Sequence, residues 1–169
     1  MGARVISRGK ISTLLPFCAA AITAFAVMLT AVPAQADAGD EGGALLDQIN
    51  ATRAANGCGP VAPNPQLTAS AVRQANDMLE RGVQGHTGSD GSSVAQRVTD
   101  AGYAPYADLG EIIFWANGPG GNPAAAVAWW MNSPDHRAII TDCALTEAGF
   151  SVVSDDDEMT AAGDFGTRQ

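Results

Sequence analysis

Glu111-Ile112-Ile113-Phe114-Trp115 is a run of β-branched and aromatic side chains in a chain whose other apolar residues mostly recur at helical spacing. It is preceded by Gly110 and followed by the glycine-rich loop Asn117 to Gly121, and a run of this composition and length reads as a strand. Working outward, the upstream chain is helical. Leu45, Leu46, Ile49 and Arg53 predict a first helix ending near Asn56-Gly57. After a loop with Pro60, Pro63 and Pro65, residues Leu67, Ala71, Val72, Ala75, Met78 and Leu79 mark one face of a second helix that stops at Gly82. Ser93 with Gln96 three residues later is a capping-box pattern for a short third helix running towards Ala101-Gly102. Downstream, Asn122-Pro123 opens a fourth helix with Val127, Trp130 and Met131 on one face, and Ser133-Pro134 breaks or restarts it. Gly149 to Val153, the acids Asp155 to Glu158, and Met159 to Phe165 predict a hairpin with an acidic tip. Helices alternating with late strands, without internal repeats, imply a mixed α/β layer structure.

The chain has 169 residues, of which 46% are hydrophobic, 16% charged and 6% aromatic, enough for one modest domain. Arg4, Arg8 and Lys10 precede an apolar stretch from Leu14 to Val32 that ends in Ala34-Gln35-Ala36, the pattern of a secretory signal peptide over residues 1–36. An apolar run of this length is also compatible with an uncleaved anchor, and the small-residue exit favours cleavage near Ala36. Cys18 follows Leu15-Pro16-Phe17, not the small residues a lipidation site requires, and leaves with the peptide. Residues 37–42 then read as a flexible acidic, glycine-containing lead, and residues 43–169 as the domain. The mature chain keeps six Arg, no Lys and all 18 carboxylates, for a formal charge of −12. A surface this acidic repels phosphate backbones and offers no basic patch to anionic lipids, which sets nucleic-acid binding aside.

Export leaves two cysteines, Cys58 and Cys143, in an oxidising compartment, and an even number predicts a disulfide. A crosslink closing a loop of this length stabilises by at most about 4 to 5 kcal/mol on chain-entropy grounds. The acidic run Asp155 to Glu158 lacks the spaced oxygen ligands and central glycine of a calcium loop and reads as a solvated turn. Asn50-Ala51-Thr52 is a sequon by pattern, but it lies inside the first helix, where Asn50 reads as a buried hydrogen-bonding residue. The two histidines, His86 and His136, sit among polar turn formers. Glu111 opens an apolar strand, where an unpaired carboxylate is costly to bury, so a partner such as an imidazole is expected.

These residues resemble a known family. Leu46-x-x-x-Asn50-x-x-Arg53-x-x-Asn56-Gly57 is similar to the first-helix signature of the CAP superfamily, named for cysteine-rich secretory proteins, antigen 5 and pathogenesis-related 1 proteins. His86-x-x-x-Asp90-Gly91, with Arg97 and Gly102-Tyr103 downstream, resembles its first histidine motif. Gly110-Glu111-Ile112-Ile113 resembles its Gly-Glu-Asn-Ile with the Asn replaced. Trp130-Met131-Asn132-Ser133-Pro134-Asp135-His136-Arg137 resembles the bacterial Trp-x-x-Ser-Pro-Gly-His-Arg motif, with Asp135 where Gly is usual. The resemblance covers about residues 43 to 166 and implies a single-domain, three-layer α-β-α sandwich of the CAP/SCP type with a cleft formed by His86, Glu111 and His136. Family members often carry a second Glu in the helix before the last His. Val127 to Asn132 holds no acid, and Asp135 is the one nearby carboxylate that could stand in.

Two branches follow for the cleft. In one, His86 and His136 hold Zn²⁺ or another divalent cation, with Glu111 behind them. In the other, Glu111 only ties the loops together and the cleft is structural. The expected function is that of a secreted, monomeric binding protein whose cleft takes a small ligand (a lipid, a sterol or a divalent metal) or a protein partner at the cell envelope or a host surface. Phe114-Trp115 and Trp129-Trp130 motivate the lipid version. The alternative is a metal-dependent peptide or ester hydrolase with Glu111 as general base, although no His-Glu-x-x-His helix or Gly-x-Ser-x-Gly elbow is present.

Overall fold

The computed structural model describes residues 38–169, with side chains from residue 41 onward. The signal peptide, its cleavage point near Ala36 and Cys18 lie outside the described residues. In chain order the elements are α1 (Ala38–Ala55), β1 (Ala62–Pro63), α2 (Pro65–Arg81), α3 (Val94–Asp100), β2 (Tyr106–Asn117), α4 (Pro123–Asn132), α5 (Pro134–Ile140), β3 (Glu147–Ser154) and β4 (Glu158–Arg168). Among the described residues no helix is long and apolar enough to cross a membrane.

The strands form one sheet in the order β1-β3-β4-β2, with β1 parallel to β3 and the other pairs antiparallel. Alternation along each strand divides its side chains between two layers of helices. The rows Phe150–Gly163–Ile112 and Val152–Ala161–Phe114 face one way, where they pack with Leu45 and Ile49 of α1, Ala126 and Trp130 of α4 and Ile140 of α5. The intervening row Ser151–Ala162–Ile113 faces α2, where Ile113 and Ala162 meet Ala71, Ala75 and Met78. This is the expected three-layer α-β-α sandwich.

Local chemistry places the helix ends where the sequence puts them. The Asn64 side chain accepts hydrogen bonds from the backbone of Gln66 and Leu67, Pro65 follows it, and Gly82 closes α2 in the left-handed region. Ser93 caps α3 by accepting from Gln96, and Asn122 caps α4. The acidic run is the β3–β4 turn, with Asp155 Oδ1 accepting from the backbone of Asp157 and Glu158. Two expectations are corrected. The strand read as Glu111 to Trp115 runs the full length of β2, because β4 supplies a pairing partner as far as Tyr106 and Asn117. The residues read as a flexible lead, 37–42, belong largely to α1, which begins at Ala38. Gly42 there serves packing: a Cβ on it would lie 2.8 Å from the Phe150 carbonyl oxygen.

Two features bind α1 to the far end of the chain. Arg53, 1% exposed, donates to the carbonyls of Gly59, Ile140, Asp142 and Leu145. Beside it Cys58 and Cys143 form the predicted disulfide, with Cα atoms 5.0 Å apart.

On the opposite face the approach of α2 to the sheet is set by Gly149, whose added Cβ would fall 2.0 Å from Thr68 N and 2.4 Å from Leu67 C. Both are backbone atoms, so no side-chain rotation relieves the clash. Gly149→Ala is therefore expected to lower stability by about 3 kcal/mol or more, whereas Gly43→Ala, which meets nothing within 4 Å, leaves it unchanged or slightly raised. Urea unfolding of the two variants side by side checks this.

Candidate functional site

The site is assembled around Glu111, which β2 presents towards α2 and α3. Its side chain is 1% exposed, and both oxygens are engaged: Oε2 accepts from Arg97 Nη2 at 2.5 Å, and Oε1 lies 2.7 Å from His86 Nδ1. Arg97, on α3, is equally buried and also donates to the carbonyls of His86 and Ser92. One guanidinium thus fixes the strand carboxylate and the loop that carries the histidine. That loop is held further by α2: Gln74 Nε2 donates to Gly85 O, Asp77 accepts from the backbone and hydroxyl of Ser89, and Arg73 pairs with Asp90 and Asp100. A buried ion pair gains little over an apolar pair of the same shape, but removing one partner strands the other charge at a cost of about 3 to 5 kcal/mol. The Arg97–Glu111 pair is therefore a strong constraint on geometry.

His86 emerges from this assembly with its side chain 52% exposed. Opposite it, α5 carries His136, whose Nδ1 lies 2.7 Å from Ser133 Oγ. The two imidazole centroids are 6.5 Å apart and tilted by 35°. Trp129 of α4 lies 5.0 Å from the His136 ring and 6.0 Å from Phe114, and at 45% exposure it forms the apolar rim. Burial, with the adjacent His86, pushes the His136 pKa below its ordinary value, while Asp135 pulls weakly the other way. Each Nδ1 is occupied, so in both rings Nε2 is the nitrogen left without a partner among the described residues.

The structure sets His86 against Glu111 and the His136 ring 6.5 Å from that of His86, with Ser133 Oγ beside His136 Nδ1. It sends the other motif residues elsewhere. Asn50 exchanges two hydrogen bonds with the backbone of Val61, at a half-buried position where a buried one was expected. Arg53 is the carbonyl clamp already described. Asp90 is an exposed partner of Arg73, and Arg137 donates to Met131 O at the surface. Asp135 is exposed and forms no hydrogen bond or ion pair with either histidine among the described residues, so it does not supply a second acid. Of the aromatics that motivated a lipid site, Phe114 and Trp130 are core, the latter donating from Nε1 to Ile113 O. Phe114, Trp115 and Trp129 line a cavity of about 160 Å³, small for a sterol.

One buried carboxyl escaped the sequence reading. Asp164 stands directly across from Glu111 in the β2–β4 register and is fully buried. The reasoning that singled out Glu111, an acid in an apolar strand, applies equally to an acid between Gly163 and Phe165, and its register with Glu111 is what gives it meaning.

The family model of the cysteine-rich secretory protein family, CAP, matches residues 46–165. The chain belongs to the CAP family. No curated protein matches it in sequence. Among solved structures this CAP domain is similar to an outer surface protein of Borrelia burgdorferi, at 21% identity and a TM-score of 0.69 over 79% of this chain and 96% of that one. It is also similar to an extracellular protein containing an SCP domain from Bacillus anthracis, at 20% identity and a TM-score of 0.63, over 78% of this chain and 41% of the other. A third is NaASP2, described with Zn²⁺, at 15% identity and a TM-score of 0.55 over 81% and 84% of the two chains. At these identities the likeness is one of fold.

The lowered pKa of His136 ties stability to pH. Below about pH 6.5 the unfolded chain takes up a proton that folded His136 resists, so this group's contribution is present above that pH and is lost as the pH falls towards its folded pKa. His136→Asn is expected to lose less stability than the wild type between about pH 6.5 and 5. Urea midpoints measured across that range check it, and identical slopes would show that His136 titrates normally.

Proposed function

We propose that the protein is an exported CAP-domain binding protein whose cleft takes a divalent transition-metal ion between the Nε2 atoms of His86 and His136. Export is supported by the basic, apolar and Ala-Gln-Ala pattern of residues 1–36, by the Cys58–Cys143 disulfide, and by the outer-surface and extracellular descriptions of the fold's relatives. The observation that carries the metal reading is the occupation of both Nδ1 atoms. A carboxylate on His86 Nδ1 favours the tautomer with a free lone pair on Nε2 and raises its basicity, the usual arrangement behind a ligating histidine. The depressed pKa of His136 keeps that ring neutral, as a ligand must be. NaASP2, which shares the fold, is described with Zn²⁺.

The residues fit a two-imidazole site. Among the described residues no three His, Cys, Asp or Glu side chains group as a metal centre, so the remaining coordination positions belong to water or to a ligand. Such an ion would supply a Lewis-acidic anchor for a carboxylate, phosphate or hydroxyl group on a bound molecule. The hydrolase alternative requires Glu111 to reach a water or a substrate. A side chain 1% exposed, with one oxygen on Arg97 and the other on His86, is withdrawn from the cleft, which favours Glu111 as the group that orients His86 over a general base.

Isothermal titration of the mature protein with Zn²⁺ tests the reading. One site is expected, weakened at least about tenfold by His86→Ala or His136→Ala, and no binding in the wild type would remove it.

A lipid ligand is favoured by a different observation. A groove of about 410 Å³ runs between α1 and α2 over β3, and its lining includes Leu46, Pro63, Val72, Ala148, Phe150 and Val153. Gly42, Gly43 and Gly149 belong to the same lining. An acyl chain fits this lining better than it fits the cleft. Val72→Arg, at an exposed position, is expected to abolish uptake of a fluorescent fatty acid without altering Zn²⁺ binding, and equal uptake by the variant would exclude the groove.

A further inference from the structure

We propose that Asp164 is a positioning residue of the cleft, protonated in the folded protein at neutral pH and donating its carboxyl proton to Glu111. The inference concerns the interior behind the cleft and goes beyond the metal reading without resting on it.

The argument begins with charge and place. Asp164 on β4 and Glu111 on β2 are direct cross-strand partners, and the third member of the row is Gly149 on β3, which has no side chain. The row faces α2, whose close approach at Gly149 seals it from solvent. Every element packed against Asp164 can be named. β2 contributes Glu111, β3 contributes Gly149, α2 contributes Ser70, and α3 contributes Arg97, with His86 lying beyond Glu111 on the loop. The fully buried charged side chains are thus two carboxyls and one guanidinium, and the guanidinium is bonded to Glu111. A second carboxylate would be buried without compensation, which costs far more than holding one proton.

Hydrogen-bond accounting points the same way. Both Asp164 oxygens are buried and without a hydrogen-bond partner, as are Ser70 Oγ and Gln74 Oε1 on α2. Two facing carboxylates can offer each other nothing. One proton on Asp164 makes it a donor to Glu111. Burial, followed by the charge of Glu111, raises the Asp164 pKa well above the usual carboxyl range, outweighing Ser70 and Arg97. Glu111 is thereby gripped from three directions, by Arg97, His86 and Asp164.

The experiment uses the mature wild-type protein and two variants. The side-chain ¹³C resonance of Asp164 is expected to stay at the protonated position between about pH 5 and 8, where an ordinary Asp, with a pKa of about 3.9, is fully ionised. An ionised shift in that range overturns the proposal without any variant. Folding then takes up a proton that the unfolded chain lacks, so this group's contribution falls as the pH rises above about 4. Asp164→Asn keeps a donor and needs no proton. Its unfolding constant relative to the wild type should decrease by up to about tenfold per pH unit above that point, and parallel pH profiles would overturn the assignment. Asp164→Leu removes the donor. The His86 Nδ1 proton signal, which reports the Glu111 contact, is expected to persist in the Asn variant and to be lost or shifted in the Leu variant. An unchanged signal in both would show that Asp164 does not position Glu111.

Discussion

The ion pair between Arg97 and Glu111 is the constraint on which the site depends. It lies where α3, β2 and the loop before α3 meet, and Arg97 also holds the carbonyls of His86 and Ser92. A single Arg at this position replaces what would otherwise be several unsatisfied polar groups at the end of a sheet. Its planar array of donors is what allows one side chain to serve a carboxylate and two backbone carbonyls together. The geometry of His86 is a consequence: the ring is oriented by Glu111, and Glu111 is oriented by a guanidinium that cannot move without exposing buried charge.

The two halves of the cleft are built differently. His86 rests on a loop tied to α2 by Gln74, Asp77 and Arg73, whereas His136 rests on a short helix whose start is fixed by Ser133-Pro134 and whose neighbour is Trp129. The first is polar and half exposed. The second is more apolar, which accounts for the depressed pKa of His136. Because the loop and the helix belong to opposite layers, the separation of the imidazoles is set by how those layers pack on the sheet. That packing is fixed in turn by backbone approach at Gly149 on one face and by the Arg53 clamp and the disulfide on the other side of the domain.

The absence of an acid between Val127 and Asn132 has a structural counterpart. With no carboxylate behind His136, Ser133 Oγ meets its Nδ1, and among the described residues no third His, Cys, Asp or Glu joins the two imidazoles as a metal-ligating group. A neutral hydroxyl orients the ring without raising its basicity as a carboxylate does. The cleft thus presents two imidazole Nε2 atoms, with Glu111 withdrawn behind His86.

Much of this was legible in the residues themselves. Helix ends at Gly82, Ser93, Asn122 and Ser133-Pro134 follow from local capping and φ preferences, which act over three or four residues and so are written in consecutive sequence. The disulfide followed from cysteine count and compartment, and the convergence of His86, Glu111 and His136 from motifs in order. What the sequence could not decide was whatever depends on which strand lies beside which. β1 is two residues long and exists only because β3 pairs with it. Gly42 reads as part of a flexible lead until it is seen to lie in α1 against the Phe150 carbonyl of β3. Asp164 is an ordinary strand residue in one dimension, and only the β2–β4 register sets it against Glu111, sharing one cation between two acids. Local preference is encoded by neighbours in sequence. The ionisation of a buried group is set by neighbours in space, and only the folded sheet supplies those.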